Sequence, residues 1–295
     1  MKSLVKPTLV IILFFVGVVA AAPTEIDERV RYTSSLNVMA SMLMNWYGSL
    51  IVKDQRIQFS PIDSKWIDYR SSYPENITHI KIISTDLKKI TKANKYQFTI
   101  NTRINSKDTE GAHSQLISET FNFHVPLLAN PLIEKITREQ SEEMAYLDIS
   151  DYSRSHYKAR HFAYAWLAYL DGVDDVKQVI NSEQWMDVAE YSLKIGRDEI
   201  HGSIAFTLKE RQKYLAKGGH LLGSVNVTEV DGKADHFILD LISEWKGINQ
   251  EGKTVLAKVH QQIEIQIQEN NEWKIISIKE EHLLPDIAPW SGFLC

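Results

Sequence analysis

The feature that most constrains this chain is an aromatic helical pattern that occurs twice. Residues 161–173 place apolar side chains at the three-and-four spacing of one helix face and end near Asp171-Gly172, a helix stop signal. The apolar positions are Phe162, Ala165, Trp166, Tyr169, Leu170 and Val173. A second stripe lies 123 positions earlier, counted from Phe162 back to Met39, and consists of Met39, Met42, Leu43, Trp46, Tyr47 and Leu50. The two stripes predict that one structural unit occurs twice.

The elements that follow each stripe support this repeat. In the first half, a helix from about Ser34 to Leu50 precedes an apolar–polar alternation from His79 to Ile136, the pattern of strands with one covered face. In the second half, a further helix is predicted to open at Gly196–Ile200 and to end at Gly218-Gly219, before strands from Leu221 to Glu280. Helices followed by an antiparallel meander indicate an α+β fold.

The first 21 residues have the pattern of a signal peptide. A basic start at Lys2 and Lys6 precedes an apolar run, Leu9–Val19, and small residues that suit cleavage after Ala21. We therefore expect an exported protein, periplasmic or secreted, with no membrane attachment once the signal is cleaved. Retention of the segment as an uncleaved anchor is the alternative.

The predicted boundaries of the two domains follow from the composition along the chain. The first domain is predicted at 33–140 and the second at 156–285, with the boundary near Tyr152 in an acidic, polar stretch. Residues 286–295 form a C-terminal tail, and residues 24–31 a loose polar lead-in.

Charge and cysteine content exclude several classes of function. The formal net charge of −5 becomes −7 without the two signal-peptide lysines, so a nucleic-acid partner, which requires a basic surface, is not expected. The single cysteine, Cys295, excludes an intramolecular disulfide and a multi-thiolate metal site. No pair of histidines stands with a carboxylate at ligand spacing, so we predict neither a metal nor another cofactor.

Two motifs of the second half carry a resemblance to a known family. The helix 162–172 that ends at Asp171-Gly172, and the later Gly196-Arg197-Asp198-Glu199-Ile200, resemble the nuclear-transport-factor-2-like superfamily, which includes SnoaL-like cyclases and ketosteroid-isomerase-like enzymes. The resemblance covers 157–282, whereas 33–140 match only in element order and lack the third helix. It implies two cone-shaped domains in tandem, each with helices closing a curved antiparallel sheet around an apolar pocket.

The best catalytic candidates are Asp240 and His236. Proton transfer next to a carbonyl needs a base in an apolar cavity. Asp240 stands between Ile238 and Ile242 on one strand face, four places after His236, so a concave face would bring both to the pocket wall. The alternative is a solvent or inter-domain face.

Four aromatic residues are candidates for binding an apolar ligand, with packing in the core or at the rim as the alternative. They are Tyr164, Trp166, Tyr169 and Trp185. The triplet 197–199 is better explained as acids at the start of a helix than as a hydrolase site. In the first half, the polar strand face contains no acid, so no catalytic site is predicted there; its members are Gln97, Thr99, Asn101 and Arg103.

These observations leave three functions open. The first is a non-catalytic binding protein with a small apolar ligand in the second domain. The second is an isomerase-, dehydratase- or cyclase-like enzyme, and the third is a scaffold of an envelope assembly. The expected partners are a small hydrophobic ligand or a protein, and the two domains are expected to form an internal pseudo-dimer through their sheets.

Overall fold

A computed structural model describes most of the chain. The described residues are 24–51, 66–90, 94–126, 130–149, 153–173, 188–231, 233, 235–268 and 273–283. The predicted signal peptide, the boundary at Tyr152, Trp185 and the tail 286–295 lie outside them.

The first helix begins earlier than predicted. Helix α1 spans Glu25–Leu50, and residues 25–31 form its first two turns rather than a loose lead-in. The cause is a capping box, in which the Thr24 hydroxyl accepts from the backbone N–H of Asp27 and the Asp27 carboxylate accepts from that of Thr24. The acids at 25, 27 and 28 also suit the positive end of the helix dipole.

The first unit is completed by a short helix and a four-stranded antiparallel sheet. These elements are α2 (Ile67–Ser71), β1 (Ile77–Ile90), β2 (Lys95–Lys107), β3 (Ala112–His124) and β4 (Leu132–Met144), with the strands in sequential order. Alternate residues of β2 and β3 face α1, and Phe121 meets the rings of Trp46 and Tyr47 edge-on at 6.0 Å. The inward and outward alternation agrees with the sequence pattern.

The second unit has the same plan with additional elements. They are α3 (Arg154–Leu170), β5 (Glu190–Ile195), β6 (Asp198–Ser203), α4 (Ile204–Arg211), β7 (Leu215–Glu229), β8 (His236–Asn249), β9 (Thr254–Ile267) and β10 (Trp273–Leu283). The sheet order is β6-β5-β10-β9-β8-β7, and only β5 and β10 pair in parallel. Helix α3 packs on the apolar face of this sheet, so the α+β architecture with a helix over a curved sheet is confirmed.

Two local predictions in this unit are wrong. The motif 196–200 forms the turn and second strand of the β5–β6 hairpin, with Gly196 at φ 63°, and does not open a helix. Helix α4 starts after Ser203, whose hydroxyl accepts from the backbone N–H of Phe206 at 3.3 Å. Gly218 and Gly219 lie inside β7 and do not end a helix. Glycine is required at both positions because the close approach of Trp245 and α1 leaves no room for a side chain.

The two units contact each other through α1 and α3, which run antiparallel. The Ser41 hydroxyl lies 2.7 Å from Nδ1 of His161, and Gly48 meets Tyr157, whose hydroxyl donates to the carbonyl of Ile80 at 2.9 Å. The described contacts between the units therefore join α1 to α3 and to strands β7 and β8, whereas the pseudo-dimer hypothesis expected the two sheets to meet. Within the described ranges, no helix is long and apolar enough to cross a bilayer.

Candidate functional site

The two predicted catalytic candidates lie away from the interior of the second unit. Along β8, Phe237, Leu239 and Leu241 face the core, and the even-numbered residues face the opposite side. Asp240 is 42 % exposed and accepts a hydrogen bond from Nε2 of His260 at 2.9 Å. His236 is buried at the start of the strand and pairs with Glu264. Neither side chain lies on the strand face that packs on the core of the second unit.

The predicted aromatic residues are divided among three surroundings. Trp166 is fully buried in the core of the second unit, where its ring centroid lies 5.7 Å from that of Tyr169. Tyr164 packs against the core of the first unit and so belongs to the inter-unit contact. Tyr169 lines a surface pocket described below, and Trp185 lies outside the described residues.

The interior of the second unit contains a buried acid–histidine pair that the sequence did not predict. Asp171, the residue that ends α3, accepts hydrogen bonds from both the backbone N–H and Nδ1 of His220 on β7; the shorter, to Nδ1, is 2.5 Å. Both side chains are fully buried. Since Nδ1 donates its hydrogen to the carboxylate and an N–H of Arg211 faces Nε2, Nε2 is the acceptor nitrogen of this ring.

Arg211, at the end of α4, connects this pair to a second buried acid. One of its Nη2 hydrogens points to Nε2 of His220 at 3.1 Å, and its Nε donates to Glu280 at 3.2 Å. Glu280 also accepts from Tyr191, Gln261 and His282. The result is a continuous buried chain of hydrogen bonds from Asp171 to Glu280.

The surroundings of Glu280 determine its charge and the charges of the groups that are hydrogen-bonded to it. Burial by itself raises the pKa of a carboxyl, but Arg211, His282 and Tyr191 outweigh it, and the pKa of Glu280 lies well below its usual value. Burial and the neighbouring carboxylate raise the pKa of Tyr191 far above its usual value, and burial lowers that of His282. Glu280 is therefore an anion paired with Arg211, while the phenol and imidazole remain neutral donors.

A pocket of about 360 Å³ opens beside Arg211 and Asp171. Its wall combines apolar side chains with a few polar groups. It is lined by Val30, Tyr169, Leu170, Asp171, Gly172, Leu208, Arg211, Gln212, Leu215, Ala216, Lys217, Gly218 and Trp245. Small-molecule sites are concave and carry a few convergent polar groups, so this pocket, which adjoins the buried hydrogen-bond network, is the candidate site of the second unit.

The first unit also contains a buried acid, which lies on the inward face of its sheet and not on the polar strand face discussed above. Glu119 on β3 is fully buried and accepts from the hydroxyls of Tyr47, Tyr69 and Tyr73, at 3.3, 2.8 and 2.5 Å, and from Arg138 at 3.2 Å. Burial, followed by the adjacent carboxylate, raises the pKa of all three phenols. With four donors around it the carboxylate is saturated, which suits a structural role.

Sequence signals for these residues existed. Glu119 stands in the inward alternation between Ile117 and Phe121, and Glu280 occupies the corresponding inward position after Ile278. An acid in an apolar alternation indicates a buried, partnered carboxylate. In the sequence, Asp171 carries only the signal of a helix stop. No cluster of three or more potential metal ligands occurs in the described parts of the chain.

Comparison with known proteins gives similarity in structure alone. No protein-family model and no curated protein sequence matches the chain. Among similar solved structures is hexachlorocyclohexane dehydrochlorinase LinA-type3 from Novosphingobium barchaimii LL02, with 14% identity and a TM-score of 0.36 over 47% of this chain and 91% of that one.

Two further similar structures carry the names of the group that the sequence motifs indicate. A nuclear transport factor 2-like superfamily protein from Salmonella enterica serovar Typhimurium LT2 has 11% identity and a TM-score of 0.33, covering 43% of this chain and 90% of its own. A ketosteroid isomerase-like protein from Erwinia carotovora atroseptica has 16% identity and a TM-score of 0.31, covering 42% and 92%. Each covers less than half of this chain. At these identities the similarity concerns the fold alone.

Proposed function

We propose that the second unit binds a small, uncharged carbonyl compound in the pocket and catalyses proton transfer next to the carbonyl group. His220 is the proposed base. The observation that carries this proposal is the buried Asp171–His220 pair, which adjoins Arg211 at the pocket wall.

The geometry of the pair suits a general base. A carboxylate on Nδ1 selects the tautomer with a lone pair on Nε2 and stabilises the imidazolium that forms when Nε2 takes a proton. Asp171 also holds the backbone N–H of His220, so the ring is fixed relative to its partner.

Arg211 is suited to donate hydrogen bonds to the carbonyl oxygen of the ligand. Glu280 holds its Nε, so the guanidinium stays in place while its other N–H groups can change partners. A ligand oxygen that accepts from Arg211 competes with His220 for these donors. Because His220 is fully buried behind the residues that line the pocket, the proposal includes that this competition also opens the path from the ligand to Nε2. The same N–H groups then stabilise the charge that develops on the oxygen.

The charges around the pocket favour a neutral ligand. Glu280 compensates Arg211, and at the rim Lys217 is paired with Asp27. Leu208, Leu215 and Trp245 supply the apolar wall. A pocket of about 360 Å³ lies at the small end of ligand sites, which favours a compact ketone or enone.

The first prediction is that the protein exchanges carbon-bound protons of small ketones with solvent. A panel of cyclic ketones and enones is incubated with the full chain in D₂O, and loss of the α-proton signal is followed by ¹H NMR. His220→Gln should lower the exchange rate about 10²- to 10⁴-fold, because it removes the base. The control is His260→Gln, which removes the imidazole of the half-exposed Asp240–His260 pair and should leave the rate unchanged. Equal rates in wild type and His220→Gln, or no exchange with any compound, would contradict the proposal.

A non-catalytic binding protein is the second candidate, favoured by one observation. His220 is fully buried and its Nε2 already accepts from Arg211, which is the state of a structural hydrogen-bond network. In that case ketones should raise the melting temperature of the protein without any proton exchange. An Arg211→Met variant should abolish that shift.

We further propose that the protein acts outside the cytoplasm, since its first 21 residues have the pattern of a signal peptide. The mass of the protein isolated from its native host should correspond to a chain that starts at Ala22. A mass that includes Met1–Ala21 would support the uncleaved anchor instead.

A further inference from the structure

We infer that the first unit completes the site of the second unit, and that Asn37 of α1 is a positioning residue for His220. The catalytic consequence rests on the function proposed above, whereas the positioning itself can be tested independently of activity. No such role follows from the sequence, because Asn37 and His220 are 183 positions apart and belong to different units.

Asn37 holds the backbone of His220 at its carbonyl group, whereas Asp171 holds its amide. Its Nδ2 donates to the carbonyl oxygen of His220 at 2.9 Å, and the residue is only 3 % exposed. Asp171 accepts from the backbone N–H and from Nδ1 of the same histidine. His220 is thus fixed at its carbonyl, its amide and its ring, and one of these three fixed points comes from the first unit.

Helix α1 approaches this part of β7 closely. A Cβ atom on Gly219 would lie 2.0 Å from the Thr33 hydroxyl oxygen, so only glycine allows the observed distance. The same hydroxyl lies 3.3 Å from the Asp171 carboxylate, and one turn earlier Val30 forms part of the pocket wall. The first unit therefore supplies a wall of the pocket as well as a contact to each member of the pair.

Charged side chains at the start of α1 fix its position over the second unit. These pairs are Asp27 with Lys217, Arg29 with Glu244 at 2.7 Å, and Glu25 with Lys246 at 3.1 Å. All three are partly exposed, so each contributes little free energy. Three opposite-charge pairs between one helix and two neighbouring strands nevertheless favour a single register for α1 on β7 and β8.

The consequence is that loss of the Asn37 amide should loosen His220 without opening the core. The variant Asn37→Leu keeps a similar volume and removes the donor to the His220 carbonyl. The matched control is Ser41→Ala on the same helix, which removes the hydrogen bond to His161 and leaves His220 untouched.

The test measures the Nδ1–H signal of His220 in the full chain by ¹H–¹⁵N NMR of the histidine side chains. The proton on Nδ1, which lies 2.5 Å from a carboxylate oxygen of Asp171, should give a low-field signal because the proton stands in a short hydrogen bond. The signal is assigned by its loss in His220→Gln. We expect this signal to shift or broaden in Asn37→Leu and to stay unchanged in Ser41→Ala. The ketone exchange rate should fall about 10- to 100-fold in Asn37→Leu, the size of effect expected from a displaced catalytic group.

The outcomes separate this inference from the proposed function. An unchanged signal in a folded Asn37→Leu protein overturns the positioning role, even if the exchange rate falls. A shifted signal supports the positioning role even if wild type exchanges no ketone, and in that case the proposed function alone fails. Circular dichroism and the melting temperature establish that each variant is folded. If Asn37→Leu does not fold, Thr33→Val serves in its place, because it removes the hydroxyl next to Asp171, and an unchanged signal then overturns the role of α1.

Discussion

At the scale of single residues, the most informative feature is the buried carboxylate on the sheet of each unit, Glu119 in the first and Glu280 in the second. Glu119 pairs across strands with Arg138, and Gln261 pairs in the same way with Glu280. The two pairs lie 142 positions apart, from Glu119 to Gln261 and from Arg138 to Glu280. The repeat therefore preserves a polar inward pair on the third and fourth meander strands, although the acid has moved from one strand to the other.

Removal of the Glu280 charge should be strongly destabilising. In Glu280→Gln, Arg211 keeps its charge in the core without a carboxylate, and breaking a buried pair in this way costs about 3–5 kcal/mol in the free energy of unfolding. Glu281→Gln, which removes the neighbouring exposed partner of Lys194, should cost about 0–1 kcal/mol. Urea denaturation of both variants tests this prediction, and equal losses would contradict it.

At the scale of elements, the antiparallel contact of α1 and α3 determines how the units join. Gly48 is required where the helices are closest, since a Cβ there would lie 2.9 Å from Cβ of Tyr157. Further along, His161 is buried against Ser41, with its Nδ1 close to both the hydroxyl and the carbonyl of that residue.

A methyl group at Gly48 should separate the helices. Alanine favours a helix over glycine by about 1 kcal/mol, but overpacking costs about 1–3 kcal/mol and should dominate here, because the opposing atom is a Cβ that cannot rotate away. We expect Gly48→Ala to lower the melting temperature measured by circular dichroism. A higher melting temperature would show that the helix contact is more adaptable than the distance indicates.

The helix contact should also weaken in mild acid. Burial lowers the pKa of His161 below the ordinary value of 6.5, so the unfolded state binds a proton more readily than the folded state. The contribution of the neutral His161 side chain to the free energy of unfolding is then fully present above pH 6.5. It is lost as the pH falls from 6.5 through the pKa of His161 in the folded state. His282 contributes in the same direction, because burial lowers its pKa as well.

Urea denaturation at pH 7.5 and pH 5.5 measures this loss. His161→Gln should reduce the difference between the two pH values. His113→Gln, at an exposed position, should leave the difference as in wild type. An unaltered pH dependence in His161→Gln would contradict the prediction.

At the scale of the whole molecule, neither unit has a core of its own that is fully separate. Tyr157 and Tyr164 of α3 belong to the packing of the first unit, and Val38 of α1 packs on the core of the second. Because each unit packs part of its helix on the core of the other unit, the tandem chain is comparable to a dimer whose partners are covalently joined.

The two units should consequently fold together. Residues 24–149 and 153–295, produced as separate chains in one cell, should purify as a complex, while 153–295 alone should aggregate because the α1-facing surface of α3 and β7 is uncovered. Size-exclusion chromatography and circular dichroism distinguish the outcomes. A monomeric 153–295 with the melting temperature of the full chain would contradict an obligatory contact.

Local patterns along the chain were sufficient for the α+β class, the twofold repeat and the inward faces of the strands. The stripe from Phe162 to Leu170 and the alternation in β9 each depend on the period of one element, so no knowledge of distant residues is needed. The start of α1 is also a local signal, because its capping box joins Thr24 and Asp27, but a polar stretch resembles a loop as closely as it resembles a capped helix start. The prediction for the motif 196–200 is wrong because turns and helix starts favour similar residues.

The candidate site could not be obtained in this way. The sequence by itself determined which faces are apolar and where an acid interrupts them, since these properties reside in neighbouring residues. Only the tertiary structure decided that Asp171, His220, Arg211 and Glu280 meet, and that Asn37 of the other unit joins them. The physical reason is that a buried polar group must find a partner in space, and the sheet register and helix packing, rather than distance along the chain, determine which partner is within reach.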